Sequence, residues 1–74
     1  MTDSEEARAA FANLLMERIN LDRYPSATHM DILENVIPRP LVRDYLNILF
    51  EKVLLDDHPS IPMLLRIRRV VDAY

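Results

Sequence analysis

Leu41-Val-Arg-Asp-Tyr-Leu-Asn-Ile-Leu-Phe-Glu-Lys-Val-Leu-Leu55 decides how the rest of this sequence folds. At ~100° per residue, Leu41, Val42, Tyr45, Leu46, Ile48, Leu49 and Val53 gather on one side of a helix, with Phe50 at its edge. Arg43, Asp44, Asn47 and Glu51 fill the polar arc that remains. The apolar face spans about 200°, whereas an ordinary surface helix needs little more than 100°. A helix over 41–55 must therefore be covered by several partners, within the chain or across a dimer.

Prolines frame this helix and cut the chain into four helical stretches. Pro38-Arg-Pro40 precedes it, and Pro40 suits the first position of a helix because its missing N–H has no partner there anyway. Upstream, a short helix is expected from about Ala27 or His29 to Ile37, capped by Ser26 or Thr28. Met30, Ile32, Leu33, Val36 and Ile37 are its apolar residues. Downstream, Ser60 caps a last helix that tolerates Pro62 in its first turn and continues nearly to the end. Met63, Leu64, Ile67, Val70, Val71 and Tyr74 share one face of it; Arg66, Arg68, Arg69 and Asp72 take the other. The first helix is expected over about Ser4–Leu21, with Thr2, Asp3 or Ser4 as its cap and Glu5 and Glu6 favoured by the helix dipole. Ala7, Phe11, Leu14 and Leu21, broadened by Leu15, mark its expected buried stripe. Tyr24-Pro25 ends it, since a residue before proline is pushed out of the α region. The expected fold is all-α: one domain over 1–74, a compact bundle of about four helices with the third at its centre.

Composition narrows the function. The chain has 74 residues, no cysteine and no glycine. Without cysteine, neither disulfides nor thiolate zinc sites can hold it. Without glycine, phosphate-cradling loops, dinucleotide fingerprints and nucleophile elbows lose the residue that lets backbone turn sharply or approach a ligand. The net charge of −3 argues against broad nucleic-acid binding. It divides unevenly, with −4 on residues 1–36 and +1 on residues 37–74. No apolar run approaches the ~18 residues of a membrane span, and the acidic N-terminus is unlike a signal peptide. A cytoplasmic protein is expected.

The candidate chemistry is sparse. His29 has Ile32 and Leu33 where a second metal ligand on the same helix face would stand, so it reads as a half-buried histidine satisfied by backbone or water. Asp56-Asp57-His58 lacks the further carboxylates and glycine of an oxygen-rich metal loop. It reads as a helix end, with Asp57 favouring the next helix and His58 satisfying the last carbonyls. Ser4, Ser26 and Ser60 each precede a helix, and capping explains them. Catalytic residues, cofactors and metals are all expected to be none.

Arg66, Arg68 and Arg69 form the one basic cluster. As a solvated outer face they would pair with Glu5, Glu6 and Glu17 of the first helix. As an interaction surface they would act with Leu65, which sits among polar residues with no evident internal partner. A helix-turn-helix reading of the second and third helices fails because the third is core-forming and barely basic. Size, acidity and four helices resemble acyl carrier proteins in shape alone. That family carries its cofactor arm on a serine in Asp-Ser-Leu, where this chain reads Pro25-Ser26-Ala27. Arg23-Tyr-Pro-Ser-Ala-Thr-His-Met-Asp31 and Pro59-Ser-Ile-Pro-Met-Leu-Leu-Arg-Ile67-Arg-Arg-Val resemble segments of small uncharacterised bacterial proteins, and no activity follows from that.

The expectation is a non-enzymatic, helical protein–protein interaction module that forms a homodimer or docks on another protein, with Leu65, Arg66, Arg68 and Arg69 as its surface. The alternatives are a small nucleic-acid-binding regulator using the same arginines, or a carrier or accessory protein built around Ser26 and His29.

Overall fold

The computed structural model describes residues 3–74. It is built from four α-helices: α1 (Asp3–Leu21), α2 (Ala27–Val36), α3 (Val42–Leu55) and α4 (Ile61–Ala73), with a single 3₁₀ turn at Arg39–Leu41 before α3. No described residue lies in a strand. The all-α bundle is the fold.

The punctuation follows local chemistry. Ser26 and Ser60 sit in extended backbone, and their hydroxyls accept from the main-chain N–H groups of His29 and Met63, capping α2 and α4. Pro62 lies in the first turn of α4, where no intrahelical N–H is required. Pro40 falls in the middle of the 3₁₀ turn rather than at the first position of α3, so α3 begins at Val42. At the other end Asp56 leaves the helix, its N–H still bonding the Val53 carbonyl. The N–H of His58 donates to Asp56 Oδ1 at 3.1 Å, so this residue closes the turn instead of capping the carbonyls of α3. Asp3 and Ser4 stand inside α1 rather than before it, and Thr2 lies outside the described residues.

The core is drawn mainly from α1 and α3. Val42, Tyr45, Leu46 and Leu49 are the buried residues of α3, with Leu41, Ile48 and Phe50 half-buried around them. The middle of the wide apolar arc is thus covered and its flanks partly so. Met30, Leu33 and Ile37 close the core from the α2 side.

The buried face of α1 is not the expected one. Ala12, Leu15, Met16 and Ile19 are buried, whereas Phe11, Leu14 and Leu21 remain 44%, 63% and 71% exposed, and Ala7 is exposed too. Leu15 alone of the expected stripe faces inward. The cause is that α1 carries apolar residues on two arcs whose centres lie about 140° apart, so periodicity does not choose between them. Packing against α2 and α3 does.

α4 is the most lightly packed helix. Val70 is its one fully buried residue, helped by the partly buried Met63 and Ile67. The bundle is also elongated, 42 × 25 × 18 Å. It exposes 5359 Å², against about 4,700 Å² expected for a compact chain of this mass.

Candidate functional site

The arginines of α4 do two different things. Arg66 turns inward, with its side chain only 12% exposed, and its Nη1 donates to Asp31 Oδ1 at 2.8 Å and Glu34 Oε2 at 2.7 Å. Arg69 Nη2 reaches the other oxygen of Glu34 at 3.1 Å. From α3, the buried Tyr45 hydroxyl donates to Glu34 Oε2 at 2.6 Å. One carboxylate on α2 therefore receives groups from both α3 and α4. Arg66 is not an exposed interaction residue, and the partners of Arg66 and Arg69 lie on α2 rather than α1.

These contacts set the electrostatics. Burial alone would weaken the hold of Arg66 on its proton, but hydrogen bonds and charge from Glu34 and Asp31 outweigh it and hold the group charged, above its ordinary value. Burial raises the Tyr45 hydroxyl well above the usual tyrosine range, and the neighbouring Glu34 carboxylate raises it further. Tyr45 is a fixed neutral donor. This arrangement docks a helix that little apolar packing holds.

Arg68 lies on the outer surface, 3.8 Å from Asp72 one turn on. Each arginine of the cluster thus has a carboxylate within reach, which leaves little free positive charge for a phosphate backbone. Leu65 is exposed as expected, alongside Ile61, Leu64 and Val71.

The second surface belongs to α1. Ala7, Phe11, Leu14, Arg18 and Leu21 alternate four and three residues apart, the spacing of a coiled-coil seam, and all five face outward. Arg18 spans 3.5 Å to Asp22, beside the seam.

A cleft of about 590 Å³ opens where the α1–α2 loop, the end of α3 and the start of α4 meet. Ser26 and His29 do not form a reactive pair: the Ser26 hydroxyl caps α2, and His29 Nδ1 is buried without a hydrogen bond from the protein. Among the described residues, no three metal-ligating side chains come together. No described helix is long and apolar enough to cross a membrane.

No family model, curated protein or solved structure matches the chain.

Sequence reasoning missed Glu34 and Tyr45. A signal for Glu34 was present: Asp31 and Glu34 are three apart on α2, as are Arg66 and Arg69 on α4. Two such pairs on packed helices can meet as a ladder. Tyr45 was placed in the core correctly, but its hydroxyl partner depended on how α2 and α3 cross.

Proposed function

We propose that this protein is a small helical interaction module that associates with a second copy of itself through the outward seam of α1. The observation that carries the reading is the exposure of Phe11, Leu14 and Leu21 in strict seam register on a helix whose opposite face already fills the core. An apolar stripe of this kind is costly in water unless something covers it. Knobs-into-holes packing against the same stripe is its natural cover.

Charge selects the antiparallel arrangement. A parallel pair would set Arg18 against Arg18 and the acidic first turn, Asp3, Glu5 and Glu6, against its own copy. With the crossing between Phe11 and Leu14, Arg18 instead falls opposite Ala7 of the second copy and next to its Glu6. The small alanine gives the arginine stem room, and the acid gives its head a second carboxylate besides Asp22. The exposed Leu65 of α4, part of the expected surface, stands apart from this seam together with Ile61 and Leu64.

Size-exclusion chromatography with light scattering tests the reading. The wild type should have twice the mass of its 8.7 kDa chain. Leu14→Glu should elute as a monomer with unchanged helical circular dichroism. A monomeric wild type at high micromolar concentration, or a dimer indifferent to Leu14→Glu, would refute it.

A further inference from the structure

The cleft between the α1–α2 loop and the facing ends of α3 and α4 combines three properties that the bundle does not require. Its volume, about 590 Å³, falls within the range of small-molecule sites, ~300–1,000 Å³. Its inner wall is apolar, from Met30 on α2, Val53 on α3 and Met63 on α4. Beside Arg66, which Asp31 and Glu34 already neutralise, Arg23 and Lys52 line it against a single acid, Asp56, although the whole chain carries net charge −3.

With Arg66 paired to Asp31 and Glu34, Arg23 and Lys52 carry the free positive charge of the cleft. Lys52 Nζ donates to the Asn20 main-chain carbonyl at 2.9 Å, a contact that leaves its charge uncompensated and uses one of three donors. Arg23 is exposed, its guanidinium 5.6 Å from the Tyr24 ring centroid, a contact that leaves its N–H donors available to a bound anion. Pro25, Pro59 and Pro62 line the cleft, and each fixes its own φ, which restrains the loops that form the walls. A preformed apolar recess with cations at its edge suits a molecule with a hydrocarbon body and one negatively charged end.

We infer that this cleft binds a small amphiphilic carboxylate, its chain against Met30, Val53 and Met63 and its head group held by Arg23 and Lys52. The site is independent of the α1 seam, so its failure would leave the dimer proposal standing, and the reverse.

Octanoate is the probe, followed by amide and methyl NMR shifts on the full chain, with octanol and acetate as controls. Octanoate should shift Met30, Val53 and Met63 saturably, and bind at least tenfold more tightly than octanol or acetate. Arg23→Gln, a change at an exposed residue outside the core, should weaken octanoate several-fold and leave octanol unchanged. Lys52→Gln should act in the same direction, and unchanged dispersion of its spectrum would show that the fold survives loss of the Asn20 contact. Three results would overturn the inference: no saturable shift at millimolar octanoate, equal affinity for octanol, or octanoate binding untouched by Arg23→Gln. Equal binding of octanol would mean a merely apolar recess. Shifts centred on Phe11 and Leu14 would assign the probe to the α1 seam and also count against the cleft.

Discussion

The Tyr45 hydroxyl donates to Glu34 Oε2 across 2.6 Å, and this contact joins α3 to α2 at the point where α4 also arrives. Glu34 is 14% exposed, and three side chains from two other helices converge on it. Such a carboxylate is hard to replace. Removing one member of a nearly buried ion pair leaves the other charge short of partners. Glu34→Ala should cost about 2–4 kcal/mol in urea unfolding, and the loss should appear first in α4, as faster amide exchange there.

Arg66 and Arg68 stand two residues apart and should respond oppositely to charge reversal. Arg66→Glu would set a third carboxylate against the exposed Asp31 and the nearly buried Glu34, and should unfold α4 or the whole domain. Arg68→Glu affects an exposed pair with Asp72 at 3.8 Å, and should change stability by no more than about 0.5 kcal/mol. Thermal melts of the two variants, followed by circular dichroism, make the comparison.

Burial and the Glu34 carboxylate raise the Tyr45 hydroxyl above its unfolded value near 10. The folded state therefore keeps a proton that the unfolded state gives up first. This contribution is fully present below pH ~10 and declines as pH rises above that value toward the higher folded one. Urea unfolding between pH 8 and 11 should show the wild type losing stability more steeply than Tyr45→Phe above pH ~10. Parallel curves would mean that the hydroxyl is not held by Glu34.

Leu49 is fully buried and Leu14 is 63% exposed, although both are leucines on apolar helix faces. Leu49→Ala should cost roughly 2–5 kcal/mol. Leu14→Ala, measured at low protein concentration where the dimer is dissociated, should change stability by less than about 0.5 kcal/mol. If the two costs were similar, α1 would be packed on its other side.

The helices and the starts of α2 and α4 were legible because they depend on local chemistry. Ser26, Ser60 and Pro62 act through hydrogen bonds and torsions within one turn, and the sequence contains all the partners they need. Leu46 and Leu49 were legible because the polar arc of α3 is narrow and leaves the core one choice. On α1 the reading chose Phe11, Leu14 and Leu21 over Ala12, Met16 and Ile19. Both sets recur at helical spacing, and only the approach of α2 and α3 separates them. Arg66 was misplaced for a related reason: a guanidinium at the border of an apolar face goes inward or outward according to whether a carboxylate waits there. Glu34 does, but its position relative to α4 is a tertiary fact.

Self-association through α1 is tested most directly by sedimentation equilibrium of the wild type beside Leu14→Glu across the micromolar range. The account predicts a reversible monomer–dimer equilibrium for the wild type, with twice the chain mass at the highest concentrations, and the single-chain mass throughout for the variant. A wild type that stays at 8.7 kDa throughout, or a variant that dimerises as strongly, would contradict it.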